Sequence, residues 1–153
     1  MPNTKTVLVV DDEEDIRRSV SRLLAGQGYE ILTASDGNEA LNIVRELGWV
    51  DLIVLDVMMP KLDGYEVLYQ LRLHGFRDIR VILLTAKSET HDIVHGYNRG
   101  AGLYISKPFD PAVLMKAVDY MLGEHSPEER DLLEMDLLSA IEVYLCIPGS
   151  PEL

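Results

Sequence analysis

Five polar residues that could carry out chemistry lie at or just after the ends of short apolar runs in this sequence. Asp11 and Asp12 end the first run, Asp56 the third and Thr85 the fourth, and Lys107 follows the fifth. Ligands of open α/β sheets bind beyond the carboxyl ends of the strands, so we expect these side chains to converge at one edge. The sequence therefore predicts a site with three carboxylates, an ammonium group and a hydroxyl group.

Three carboxylates brought close together repel one another, unless a cation neutralises them or one of them takes up a proton. A cluster of oxygen ligands without cysteine or a close histidine pair suits a hard divalent ion, and Mg²⁺ is the natural candidate. Lys107 adds a positive charge and Thr85 a neutral hydroxyl donor. Metal, ammonium and hydroxyl together are the groups that stabilise charge on a transferring phosphoryl group.

The elements that must position these residues alternate five times along the chain. Apolar runs of strand length alternate with stretches of helical periodicity. The predicted strands are 6–10, 31–34, 51–55, 81–84 and 103–105, and the predicted helices are 15–25, 37–47, 64–73, 89–98 and 111–122. Runs that are apolar at every position suit parallel strands buried on both faces. The pattern predicts an α/β fold with a doubly wound, five-stranded parallel sheet, for which the strand order 2-1-3-4-5 is favoured.

A change in the sequence after Gly123 divides it into a domain at 1–123 and an acidic C-terminal extension with its tail at 124–153. Ser126, Pro127 and Glu129 form a helix-start signature, so we expect a sixth helix that runs to about Leu145. Eight acidic residues against one basic residue give the extension a charge of −7. The apolar stripe of this helix must be buried, and three possibilities remain open. The helix docks on its own domain, pairs with a second copy of the chain, or continues into a missing output domain.

Charge and composition disfavour several classes of partner. The 153-residue chain carries a formal net charge of −12 at pH 7, which disfavours direct nucleic-acid binding and anionic membrane surfaces. The single cysteine, Cys146, permits no internal disulfide bond. The sequence shows neither a signal peptide nor a membrane span, so we expect a cytoplasmic protein.

Four motifs in this order resemble the response-regulator receiver domain family over about residues 4–122. They are VVDDE at 9–13, LDVMMPKLDG at 55–64, LTA at 84–86 and YISKPF at 104–109. Each is weak alone, because an aspartate after a strand is usually a turn residue and acidic residues favour helix starts. Together they make the resemblance specific.

The resemblance implies a magnesium-dependent phosphoacceptor site. Asp56 would accept the phosphoryl group and would also be one of the Mg²⁺ ligands. Asp12 would bind Mg²⁺ directly, Asp11 would hold it through water, and the backbone carbonyl of Met58 would supply a further oxygen.

The resemblance also implies a switch and its partners. Thr85 and Lys107 would contact the phosphoryl oxygens, and Thr85 and Tyr104 would move together, reshaping the face formed by the predicted helix 89–98, the fifth strand and the helix 111–122. The implied partners are a sensor histidine kinase or phosphotransfer protein and a downstream output protein, with a homodimer as a further possibility. The Lys107–Pro108 peptide bond would be cis. Gly102 stands where the family often has aspartate, which removes none of these groups.

Three alternatives to a phosphorylated switch remain open at this point. An aspartyl-phosphate phosphatase would need a second aspartate two residues after Asp56, where this chain has Met58. A carrier of FMN would need Gly, Ser or Thr in its first loop, which is acidic here. A degenerate receiver that only binds proteins is disfavoured by the complete set of acidic residues together with Thr85 and Lys107.

Overall fold

The fold is taken from a computed structural model, which describes residues 4–86, 102–140 and 143–145. The predicted helix 89–98 and the tail after 145 lie outside the described residues. Within them, no helix is long and apolar enough to cross a membrane.

Six strands form one sheet in the order β2-β1-β3-β4-β5-β6. Their bounds are β1 Thr6–Val10, β2 Glu30–Ala34, β3 Leu52–Asp56, β4 Arg80–Ala86, β5 Leu103–Lys107 and β6 Val143–Leu145. The first five strands pair in parallel, which confirms the predicted order 2-1-3-4-5. All five residues of β3 are buried, as expected for a central parallel strand covered on both faces.

Helices cover both faces of this sheet. They are α1 Glu14–Ala25, α2 Gly37–Leu47, α3 Gly64–Leu73, α4 Pro111–Leu122 and α5 Pro127–Ser139. Helices α2 and α3 pack on one face and α1, α4 and α5 on the other. The core divides in the same way, because alternate residues of a strand point to opposite faces: Leu8 and Val10 lie in one cluster and Val7 and Val9 in the other. This doubly wound arrangement leaves the carboxyl ends of the strands at a common edge.

The C-terminal extension differs from its prediction. The helix predicted to run to about Leu145 ends at Ser139, and β6 follows as a sixth strand, antiparallel to β5. The helical spacing of the apolar residues continues past the end of α5, but Val143 and Tyr144 are residue types that favour strands. Pairing them with Ile105 and Tyr104 satisfies backbone groups at the edge of β5, and this tertiary gain outweighs the local helical pattern. The extension thus docks on its own domain.

Candidate functional site

Three aspartates meet at the carboxyl ends of β1 and β3. These strands are neighbours, with Val10 opposite Leu55, so the residues that follow lie side by side. One carboxylate oxygen from each of Asp11, Asp12 and Asp56 lies within 4.8 Å of the other two. Asp11 and Asp56 are buried and Asp12 is exposed. The convergence predicted from the sequence is therefore present, with one carboxylate open to solvent and two enclosed.

The Lys107 ammonium group lies between the two buried carboxylates. Its Nζ donates to Oδ1 of Asp56 at 3.1 Å and lies 3.5 Å from Oδ2 of Asp11. The pairing of β5 with β4, in which Lys107 is opposite Ala86, carries the side chain to this edge. One ammonium group cannot balance three carboxylates, so the cluster remains net negative and favours a cation.

Burial decides how Asp56 titrates. Burial, the largest cause, and the charge of Asp11 raise the pKa of Asp56 from its usual 3.8 to about 6. Lys107, through its charge and hydrogen bond, and the backbone N–H of Met58 lower this pKa. They offset only part of the increase. For Lys107, burial lowers the pKa, but the charges of Asp56 and Asp11 outweigh burial and raise the pKa overall. Above about pH 6 the site therefore contains an ionised, nucleophilic Asp56 beside a protonated lysine.

Thr85 supplies a buried hydroxyl group at the same edge. The residue lies near the end of β4, opposite Ser106 of β5, and is fully buried. Within the described parts of the chain, its Oγ1 makes no hydrogen bond. Buried hydroxyl groups nearly always have a partner, so this atom fits a site completed by oxygen atoms of a ligand. Tyr104, the other predicted switch residue, is also fully buried and packs in the core cluster beneath α2 and α3.

The cluster opens into a cleft of about 510 Å³. Its lining combines the polar pair Asp56 and Lys107 with the exposed side chain of Met58 and several apolar neighbours. The remaining lining residues are Glu13, Ile16, Ala86, Pro108 and Phe109. The Lys107–Pro108 bond at the rim is cis, as the resemblance implies. The cleft therefore reaches the edge of the sheet at which Asp56 and Lys107 lie.

Two contacts that the sequence did not reveal hold the first loop in place. The guanidinium group of Arg17 donates to the carbonyl oxygen of Asp11 at 2.8 Å, and the backbone N–H of Glu13 donates to Oδ1 of Asp11 at 2.9 Å. Arg17 lies one turn into α1, six residues from its partner, a spacing that carries no recognised signal. These contacts orient the Asp11 carboxylate toward Lys107 and Asp56.

The loop after Asp56 depends on the absence of a side chain at Gly64. The Gly64 N–H donates to the carbonyl oxygen of Val57, and a Cβ atom at this position would lie 2.6 Å from the carbonyl oxygen of Asp56 and 2.8 Å from Cα of Val57. Both obstructing atoms belong to the backbone, so they cannot rotate away. The first turn of α3 therefore fits against the end of β3 only with glycine.

We predict that Gly64→Ala destabilises the fold by about 2 kcal/mol or more, because overpacking forces backbone shifts. Urea unfolding measures this loss. Gly26→Ala is the matched control, since its Cβ would meet its nearest neighbours only at 3.4 Å and its φ of −62° suits alanine. Equal stability of the two variants would contradict the close packing of α3 on Asp56.

Comparisons with known proteins agree with this geometry. The sequence profile of the family described as "Response regulator receiver domain" matches residues 7–119. A "Probable transcriptional regulator ycf27" of Cyanophora paradoxa is 48% identical over 120 residues, covering 78% of this chain and 49% of that protein. The "Alkaline phosphatase synthesis transcriptional regulatory protein PhoP" of Bacillus subtilis (strain 168) is 50% identical over 107 residues, covering 70% of this chain and 44% of that protein. The chain thus spans about half the length of these relatives.

Solved structures show the same likeness. The receiver domain of the Francisella response regulator 1452 superimposes with a TM-score of 0.70 at 33% identity, covering 77% of this chain and 96% of that one. DrrB, described as a Thermotoga maritima OmpR/PhoB homolog, superimposes with a TM-score of 0.69 at 32% identity, covering 78% of this chain and 53% of its own. On sequence, fold and site geometry together, this chain belongs to the response regulator receiver domain family.

Proposed function

We propose that this receiver domain is a magnesium-dependent switch that accepts a phosphoryl group on Asp56. The observation that carries the proposal is the buried Asp56 carboxylate, held 3.1 Å from the Lys107 ammonium group and clustered with Asp11 and Asp12. This arrangement combines a nucleophile, a fixed positive charge and an acidic cluster suited to a cation in one accessible cleft.

In the proposed transfer, an oxygen of ionised Asp56 forms a bond to the phosphorus of the donor. The bond from phosphorus to the leaving group breaks, and the leaving group keeps the electron pair. Lys107 is close enough to Asp56 to contact the incoming phosphoryl group, and the buried Thr85 hydroxyl group can donate to one of its oxygens. These two donors stabilise the charge that develops on the phosphoryl oxygens.

The residues present fit a magnesium ion. The cluster offers carboxylate oxygens only, and its excess negative charge favours a hard divalent cation that keeps several waters. Asp12 is the proposed direct ligand and Asp11 the proposed ligand through water. Asp56 and the Met58 carbonyl are the proposed further oxygen donors. When bound, Mg²⁺ supplies positive charge that neutralises the carboxylates and the phosphoryl oxygens.

The proposed output follows from the added charge. A phosphoryl group brings about 1.5 to 2 negative charges and strong acceptors, so it competes with Asp11 for Lys107 and engages Thr85. Thr85 and Tyr104 lie on neighbouring strands, and a coupled movement of both would pass the change to β5 and α4. The helix predicted at 89–98, which the resemblance implies as part of the output face, lies outside the described residues.

The proposed partners are a sensor histidine kinase or phosphotransfer protein and a downstream output protein, with a homodimer as a further assembly. Two relatives carry the words "transcriptional regulator" or "transcriptional regulatory protein" in their names. A role in transcription would need an output partner or domain, because the charge of −12 disfavours direct contact of this chain with nucleic acid. We also propose a cytoplasmic location.

Intact-mass measurement after incubation with acetyl phosphate, with and without Mg²⁺, tests the function. We expect one added phosphoryl group, formed only when Mg²⁺ is present. If no adduct appears, binding of beryllofluoride is measured next, because a short-lived acyl phosphate escapes detection. Failure of both would leave the alternative of a degenerate receiver that acts only by binding proteins. An aspartyl-phosphate phosphatase is disfavoured because Met58, at the position of its second aspartate, has no ionisable group.

We predict that Asp12→Asn weakens Mg²⁺ binding by about tenfold or more, since it removes a charged ligand from the cluster. Isothermal titration calorimetry measures the affinity. Asp15→Asn removes the same charge from the acidic run at residues 11–15 but outside the three-carboxylate cluster, and should leave the affinity within about twofold. Similar losses in both variants would mean that the acidic run attracts the ion only by its overall charge.

A further inference from the structure

The C-terminal helix α5, Pro127–Ser139, has two apolar sides, and only one of them is buried. Leu137 is 2% exposed and packs in the core with residues of α4. On the other side, Leu132, Met135 and Leu138 are 67%, 70% and 48% exposed. At about 100° per residue these three side chains fall within about 120° of one another, so they form a single stripe.

Polar contacts with α4 hold α5 in this orientation. The Tyr120 hydroxyl group donates to Glu134 at 3.1 Å, and Lys116 pairs with Asp136 at 2.7 Å. The guanidinium group of Arg130 lies 4.6 Å from the centre of the Tyr120 ring and donates to the carbonyl oxygen of the same residue at 3.1 Å. Rolling the helix to bury the outer stripe would break all of these contacts. The stripe is therefore presented outward by a fixed scaffold.

Negative charge accompanies the stripe. Glu128 and Asp131 lie at angles between those of the three apolar residues, and both are exposed. Among the described residues neither forms an ion pair, whereas the single basic residue of the helix, Arg130, is engaged with Tyr120. The outer face thus combines apolar side chains with free carboxylates and has no free positive charge.

This surface lies beyond the part of the chain that matches the family profile, which ends at residue 119. It is independent of the proposed phosphoryl chemistry, since none of its residues touches the aspartate cluster.

We propose that the outer face of α5, formed by Glu128, Asp131, Leu132, Met135 and Leu138, docks a protein partner that presents an apolar groove flanked by lysine or arginine. The apolar side chains would be the anchors, and the carboxylates would select a basic rim. A second copy of this chain fits poorly, because a two-fold contact through this face would set the same carboxylates against one another. Charge complementarity therefore selects a basic partner.

The probe is a synthetic amphipathic helical peptide with a leucine stripe flanked by lysines, titrated into the ¹⁵N-labelled chain of 153 residues. A scrambled peptide of equal composition, and a peptide with glutamate in place of lysine, serve as probe controls. We expect binding that shifts the amide signals of α5 and its immediate neighbours. In the triple variant Leu132→Ser, Met135→Ser, Leu138→Ser the affinity should fall at least about tenfold, as for loss of central apolar anchors.

Two further variants separate specific docking from general attraction. The double variant Glu128→Gln, Asp131→Asn should weaken binding less than the triple variant does. It should also reduce the dependence of the affinity on salt concentration. The pair Tyr69→Ser and Leu73→Ser removes side chains of similar exposure, 64% and 61%, from α3 and should leave binding unchanged. The proposal is overturned if the triple variant binds as well as the wild type or if the shifts spread over other surfaces. It is also overturned if the wild type dimerises through this face and the triple variant does not.

Discussion

Replacing Asp56 with asparagine is expected to abolish the phosphoryl adduct and to stabilise the fold at neutral pH. The adduct is lost because an amide cannot act as the nucleophile. The stability gain follows from the pKa of Asp56, which burial and the charge of Asp11 raise from 3.8 to about 6. A carboxyl group with a raised pKa in the folded state costs stability once it ionises, so this cost is absent well below pH 3.8 and complete above about pH 6.

The asparagine variant lacks this cost because its side chain carries no charge. In magnesium-free buffer its free energy of unfolding should exceed that of the wild type by about 3 kcal/mol at pH 7.5, and by only about 1 kcal/mol at pH 4.5. Urea unfolding at both pH values measures the difference. Added Mg²⁺ should narrow the gap at pH 7.5, because a bound cation offsets the repulsion between the carboxylates.

Asp15→Asn is the control for the loss of one carboxylate, since Asp15 is exposed and lies outside the aspartate cluster. It should keep the phosphoryl adduct and show no comparable change with pH. An Asp56→Asn protein that is still labelled would exclude Asp56 as the phosphoacceptor. A stability gain that is the same at both pH values would show that packing, rather than ionisation, causes it.

Replacing Lys107 with methionine is expected to slow phosphorylation by acetyl phosphate by about 100-fold or more. Loss of one preorganised donor at a site of developing negative charge typically has an effect of this size. Lys107 is also the principal group that lowers the pKa of Asp56, so its removal should raise that pKa above about 6. The pH profile of labelling should therefore move to higher pH, in addition to the loss in rate.

Lys116→Met provides the matched control, because Lys116 also forms an ion pair, with Asp136 at 2.7 Å, but at the surface of α4. This variant should be labelled at the rate of the wild type with an unchanged pH profile. A Lys107→Met protein labelled as fast as the wild type would show that the ammonium group has no part in the transfer. A slower rate without a shift in the profile would mean that Lys107 acts on the donor and not through the ionisation of Asp56.

The sequence was sufficient to predict that these polar side chains converge, because they lie at the ends of strands. Runs that are apolar at every position predict buried parallel strands. The carboxyl ends of parallel strands lie at one edge of the sheet, so the position of the residues that follow them can be predicted without knowing the tertiary contacts. Asp11, Asp12, Asp56 and Lys107 therefore came together as predicted, along with the five-strand order.

The tertiary structure decided the features that depend on distant neighbours. Leu137 and Tyr144 continue a helical spacing, yet the chain leaves the helix after Ser139, because the unpaired edge of β5 offers hydrogen bonds that no local pattern encodes. Likewise, the raised pKa of Asp56 and the contact of Arg17 with the Asp11 carbonyl result from burial and packing. Periodicity determines which face of an element is apolar, but the energy of a buried charge or an edge strand depends on everything packed around it.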